Sequence, residues 1–483
     1  YANTVSGVAT GYSVSSAQNV APITVAAQIS PVDMGFRVNP DGYSFANYGG
    51  NTPSDFTIDD LIQMFGRAQV CTNTTGDCQA REAASQWRND VVSWMNGGHC
   101  DGFTTTALRF FKDIDQQSTF QPNANSTYTL TLANMRRRIA YFWVLQAPNP
   151  VAAARGNALS KTPTQVLQHL YLALSGGAPD PVTLIVYNSA GTSGHSILPY
   201  AIEDVGSGVY RVKVYDNNYP NDANRSVTIN TTNNTWNYNL SGSTAWSGTA
   251  STHSIGVIAL STYAQQPACP WCAGATRQDA RPLPTQPGAA AAPRVQTWLQ
   301  GDGRLLVTDS EGRRLGYVGG QLIDEMPDAF ATVLPGGLGY ETQPVFYLPD
   351  SQAFTFDVSG QGGVVDVAQY GPGYAASVEG LTAGPQAAQR VSISADGRAV
   401  GLTPSSAQSP TMSLVDESGQ TSLRLAIDSG QVQQGDTVIM RQDSATGRLV
   451  YSHKDAGQGT YTVSLRRVTT GGRQEFTHRQ VAI

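Results

Sequence analysis

The sequence predicts an α+β N-terminal domain followed by an all-β, sandwich-like C-terminal region. Three observations carry this. Helical apolar periods are confined to the first 175 or so residues. Alternating apolar and polar runs, punctuated by Gly, Asp and Ser, fill the rest. A Pro/Ala-rich polar stretch at 273–294 (AGATRQDARPLPTQPGAAAAPR) divides those runs and reads as a linker. At 483 residues the chain exceeds one ordinary core, and Gly 49 with Pro 26 fits a turn-rich, strand-rich protein.

Residues 1–35 are small and polar with scattered Val and Ile, an extended segment serving as a tail or as a strand laid along the domain. The α+β domain spans 36–272. Its first helix is FTIDDLIQMFG, with Thr57 as N-cap, Asp60 at the capping-box place and Gly66 as stop. QAREAASQWRNDVVSWM follows and ends at Gly97 and Gly98. CDGFTTTALRFF starts at Cys100 and puts Leu108, Phe110 and Phe111 on its apolar side. LANMRRRIAYFWVLQ is another helix, its three arginines read as a solvated face. In KTPTQVLQHLYLALSGG, Thr162 caps, Pro163 opens the first turn, and Val166, Leu167, Leu170 and Leu174 form the stripe. Strands come next: VTLIVYN, HSILPYAIED, GVYRVKVYD, RSVTIN, TWNYN and SIGVIAL. Beyond the linker, runs such as AFTFDVSG, TSLRLAID, DTVIMRQ and TYTVSLRR read as strands of two β modules, 295–388 and 389–483. LVTDSEG and LVDESGQ are faintly alike, as related modules would be.

Charge excludes some partners. Charged residues are 14% of the chain, the formal net charge is -6, and the only basic cluster is Met135–Arg138, so no nucleic-acid partner is expected. No apolar run approaches the roughly 18 residues of a membrane span. The chain begins at Tyr1 rather than Met, which fits a processed or trimmed N-terminus. Glycosylation sequons occur at Asn73, Asn125, Asn224, Asn230, Asn233 and Asn239.

Five cysteines are present. Cys71 and Cys78 bracket a polar turn, and Cys269 and Cys272 form CPWC. Close pairs in a chain of secreted character read as disulfides, although 71–272 with 78–269, or the reverse, fits the same residues. A CPWC redox dithiol would need a following helix, and zinc would need all four cysteines together. Every pairing leaves Cys100 alone. A thiol at a helix N-terminus faces unpaired N–H groups and the positive end of the dipole, both of which favour the thiolate.

A nucleophilic thiol needs a base. His169 lies in a Leu-rich helix, His453 and His478 belong to the β region, and His253 has no distinctive context. His195 opens a strand whose hairpin partner ends at Asp216-Asn217. In antiparallel neighbours the start of one strand lies near the end of the other, so Asp216, or alternatively Asn217, can orient the imidazole. A Cys heading a helix, a Gly-His opening a strand and an Asp or Asn closing the next resembles the papain-like cysteine peptidase superfamily, nearest to its bacterial branch that cleaves leaders after double glycine. The resemblance covers roughly residues 90–220. It implies a papain-like domain with a Cys100–His195–Asp216 triad. Trp94 stands where those families carry an oxyanion-hole Gln, and Asn96 is the nearest amide that could serve. DNNYPND clusters Asp216, Asn217, Asn218 and Asp222, a composition shared by calcium loops and by ordinary turns. It is read as a turn, and no metal and no cofactor are expected.

The expected protein is a secreted or cell-surface thiol hydrolase or acyl-transferase, a cysteine peptidase acting on a peptide or protein. The alternative is an extracellular assembly protein, a surface-layer or filament subunit, that keeps the fold without activity. Its β modules or N-terminal segment would attach it to a surface or to other copies.

Overall fold

The computed structural model describes residues 4–5, 8–9, 29–50, 52–177, 180–238, 246–273, 294–338, 343–385, 388–443, 448–454 and 460–482. The expected N-terminal segment is thus seen in part. Thr4–Val5 pairs with Val8–Ala9, and Val32–Asp33 lies antiparallel to a long strand at Ile202 and Ala201. Nearly all of the expected 273–294 linker, and the sequon at Asn239, lie outside the described residues.

An α+β half precedes a β-rich half. The main helices are Ile58–Phe65, Glu82–Trp94, Cys100–Phe111, Leu132–Val144, Val151–Leu159 and Pro163–Leu174. The Thr57 N–H donates to Asp60 Oδ2 at 2.7 Å, closing the predicted capping box. Thr162 and Gln165 close another: Thr162 N–H donates to Gln165 Oε1 at 3.0 Å. Val151–Leu159 was not legible from VAAARGNAL, which has no stripe of large apolar residues to mark a face. The arginines of Leu132–Val144 are not simply solvated. Arg136 pairs with Asp55 at 2.8 Å, Arg137 with Asp60 at 3.0 Å and Arg138 with Asp115 at 2.9 Å, so the row clamps this helix to its neighbours.

The first half holds an eight-stranded sheet in the order Ile255–Ala259, Val182–Tyr187, Gly194–Gly206, Val209–Tyr215, Ser226–Asn230, Thr235–Tyr238, Trp246–Thr249, with Val32–Asp33 added beside Gly194–Gly206. The Gly194–Gly206 and Val209–Tyr215 strands turn through Ser207 and Gly208, both at positive φ (55° and 75°), as a tight right-twisting hairpin requires. Leu198 then faces Tyr215, which carries Asp216 back to the level of His195. The Leu-rich helix buries Val166, Leu167, Leu170 and Leu174 against this sheet.

In the second half, Phe354–Gly371 runs beside Arg294–Thr308 for most of its length. Strands from 295–388 and from 389–483 join one fifteen-stranded antiparallel network and share a core containing Leu299, Val367, Met412 and Val438. The likeness of LVTDSEG to LVDESGQ is a likeness of turns: Asp309 accepts from Glu311 N–H and Asp416 from Ser418 N–H, both at 2.9 Å.

The two halves share a buried aromatic seam. Trp298 packs edge-on against Trp87 and Trp94, with ring centroids 6.1 and 5.0 Å apart. Gln296 accepts from Trp87 Nε1 at 3.0 Å and donates to the Ala147 carbonyl at 3.1 Å, so the seam's polar atoms are satisfied. The disulfides are Cys71–Cys78 and Cys269–Cys272, with Cα separations of 5.4 and 5.5 Å. The second holds buried Trp271 of CPWC against Phe65, 5.1 Å between centroids, which gives that motif a packing role. Among the described residues, no helix is long and apolar enough to cross a membrane.

Candidate functional site

Cys100 is the first residue of the Cys100–Phe111 helix and is fully buried. It is the free cysteine of the chain. The approach is a short turn, Met95–Gly97, and Gly98 at φ 109°. A side chain at Gly98 would be strained and would meet the Gly336 carbonyl oxygen at 2.2 Å.

Three interactions fasten this helix terminus to the start of the Gly194–Gly206 strand. The Ser196 N–H donates to Cys100 Sγ at 3.3 Å. Thr104 Oγ1 is 2.9 Å from both the Cys100 and the Ser196 carbonyl oxygens. Asn217 Nδ2 donates to the Ser196 carbonyl at 2.9 Å and reaches the Cys100 carbonyl at 3.2 Å. Asn217, the alternative third member, is therefore a clamp on backbone, and its buried Oδ1 has no hydrogen-bond partner.

Asp216 holds the imidazole. Its Oδ1 lies 2.8 Å from His195 Nε2 and also accepts from the Asn218 N–H at 2.8 Å; its Oδ2 accepts from the Tyr238 hydroxyl. His195 and Asp216 are both fully buried. Burial alone would raise the Asp216 pKa, but His195, Tyr238 and Asn218 outweigh it and hold the carboxyl below its ordinary range. His195 Nδ1 is buried and has no hydrogen-bond partner. Trp246 closes over the ring edge-on, 6.5 Å between centroids. Thus thiol and imidazole sit on neighbouring backbone units, one nitrogen of the ring is fixed by a carboxylate, and the other is left uncommitted.

The thiol itself differs from the sequence expectation. Burial pushes Cys100 well above the usual thiol range, and the Ser196 N–H offsets this only in part. In this closed arrangement, desolvation outweighs the helix terminus. His99, which precedes Cys100, is no rival base: burial lowers its pKa to about 4, and its Nδ1 is tied to the Tyr48 carbonyl at 2.8 Å.

Asn96 lies exposed in the Met95–Gly97 turn. The amide found beside Cys100 belongs to Asn47. Its Nδ2 is 2.9 Å from the Gly336 carbonyl oxygen, which also accepts from the Cys100 N–H at 3.3 Å. Asn47 Oδ1 accepts from the His99 N–H at 2.8 Å, and its own N–H donates to the Asn217 carbonyl at 2.7 Å. Two donors thus converge on one carbonyl oxygen beside the thiol. Asn47 lies 53 positions before Cys100, and nothing local in SFANYGG marks it.

The DNNYPND residues do not converge on a cation. Asp216 serves His195, Asn218 Oδ1 accepts from Asn47 Nδ2 at 3.0 Å, and Asp222 pairs with Arg225 at 2.8 Å. Compared with protein-family models and with curated proteins, the sequence finds no match.

Proposed function

We propose that this chain is a secreted or cell-surface thiol-dependent acyl-transfer enzyme, a cysteine peptidase of papain-like architecture. The observation that carries the reading is the pairing of Ser196 N–H on Cys100 Sγ with the buried His195–Asp216 pair, whose Nδ1 remains unpartnered. In this reading Cys100 is the nucleophile, His195 takes and returns its proton through Nδ1, and Asp216 fixes the ring. Asn47 Nδ2 and the Cys100 N–H are the oxyanion donors, in place of Asn96. A peptide or protein is the substrate, and the β-rich half supplies attachment to a surface or partner. Disulfides support an oxidising, extracellular setting.

Complete burial of Cys100 favours a second reading, an extracellular assembly protein that keeps this arrangement without turnover. A peptide acyloxymethyl ketone separates the two. The enzyme reading expects one covalent adduct per chain, located on Cys100 by mass spectrometry and lost in His195→Ala. No adduct, or an equal rate in His195→Ala, supports the assembly reading.

A further inference from the structure

The carbonyl held beside Cys100 belongs to the chain itself. Residues 333–338 leave the β-rich half and cross the helix terminus. The Val333 carbonyl accepts from the Tyr187 hydroxyl at 2.8 Å, and the Pro335 carbonyl from Trp143 Nε1 at 2.8 Å. Gly336 O sits between the Cys100 N–H and Asn47 Nδ2. The Gly337 N–H donates to the carbonyl of Gly194, the residue before His195, at 3.2 Å, and the Gly337 carbonyl lies 3.4 Å from Ser193 Oγ. The peptide is therefore seated with its carbonyl oxygen on two donors and its nitrogen on the histidine side.

The seat accepts only glycine at both positions. A Cβ on Gly336 would meet the Gly97 carbonyl oxygen at 2.7 Å, backbone that cannot move aside alone. Gly337 has φ 148°, and a Cβ there would meet Asn47 Nδ2 at 2.6 Å. An ordinary interdomain loop has no need of two such constraints at a buried thiol.

We propose that the Gly336–Gly337 bond is the chain's own cleavage site, cut in cis by Cys100, and that until it is cut residues 333–338 exclude other substrates. The proposal rests on the thiol chemistry set out above. His195 Nδ1 takes the Cys100 proton and Sγ bonds to the Gly336 carbonyl carbon. The resulting oxyanion is held by the Cys100 N–H and Asn47 Nδ2. The Gly336 C–Gly337 N bond breaks as the imidazolium proton passes to the Gly337 nitrogen, leaving a Gly336 thioester on Cys100 and a free amine at Gly337. Water, deprotonated by His195, hydrolyses the thioester to the Gly336 carboxylate and restores the thiol. Burial of the Cys100 thiol in its neutral form agrees with a resting state closed by its own segment.

The test follows the full-length chain after purification, by denaturing electrophoresis and intact mass. No disulfide joins the two sides of residue 336, so a cut separates them. Wild type should convert, at a rate independent of protein concentration, to fragments 1–336 and 337–483, the second beginning with Gly337. Cys100→Ser should stay whole, and Gly336→Val should slow the cut by at least a hundredfold. Should Gly336→Val misfold by circular dichroism, Cys100→Ser, nearly isosteric, decides alone. An uncut wild type whose Cys100 still takes the ketone in a His195-dependent way overturns the self-cleavage and leaves the thiol chemistry standing. An uncut wild type whose Cys100 reacts with iodoacetamide no faster than that of His195→Ala overturns both. Cleavage that persists in Cys100→Ser, or that starts at another bond, also overturns the proposal.

Discussion

Replacing Asp216 by Ala is the most demanding perturbation of the site. Asp216 is fully buried and accepts from three groups: His195 Nε2 and Asn218 N–H at 2.8 Å each, and the Tyr238 hydroxyl. Alanine strands all three donors in a dry interior. An unsatisfied buried donor costs about 1–3 kcal/mol, and three are left here. Roughly 4 kcal/mol is therefore expected for Asp216→Ala. With a urea m-value of about 2–3 kcal/mol/M, the midpoint falls by roughly 1–2 M. Tyr238→Phe, which removes one donor and leaves two, should cost only about 1 kcal/mol. Equilibrium unfolding in urea at pH 7, followed by tryptophan fluorescence and far-UV circular dichroism, reads both. If Asp216→Ala unfolds at the wild-type midpoint, the buried hydrogen-bond set around His195 is wrong, and with it the orientation of the imidazole.

Asn47→Ala should lower the rate of acyl transfer by about 10²–10³, because one oxyanion donor is lost. Asn96→Ala should leave it unchanged, and steady-state kinetics on a peptide ester separates the two. Thiol titration under denaturing, non-reducing conditions should find one reactive group per chain, Cys100; three or five would break the disulfide assignment. Burial raises the Asp115 pKa, but Arg109 and Arg138 at 2.8 and 2.9 Å outweigh it and hold the carboxyl low. Its stabilisation is therefore complete above the ordinary carboxylate pKa and is lost as pH falls through its own lower value. Asp115→Asn should flatten the unfolding free energy against pH below about pH 4.

What the sequence made legible was local or periodic. The helix from Cys100 and the hairpin linking His195 to Asp216 follow from apolar period and strand alternation, so their meeting could be anticipated from the geometry of one antiparallel pair. The oxyanion side could not. Asn47 reaches the site through a loop 171 positions from the Asn218 it also contacts, and Gly336 arrives from the other half of the chain. Such contacts leave no period in either segment, and LPGG read alone is an ordinary turn. The ion pairs of the MRRR arginines are hidden for a related reason: their partners Asp55, Asp60 and Asp115 lie on other elements, so a row of charge looks like a solvated face. Tyr238 and Trp246 were equally hidden, since strand residues of alternating burial carry no mark of the carboxylate or ring they cover.

The central claim is that Cys100 and His195 act as one chemical pair, and the pH dependence of Cys100 alkylation by iodoacetamide tests it most directly. Compared as uncut chains, with wild type taken before conversion, the two proteins share any opening needed to admit this small reagent, so the ratio of their rates isolates the pairing. If the pair exists, wild type reacts at about pH 7 because His195 takes the thiol proton as Sγ attacks, and His195→Ala is slower there by orders of magnitude, rising only above the ordinary thiol range, where burial has pushed Cys100. Superimposable profiles would make Cys100 an ordinary buried thiol and contradict the account.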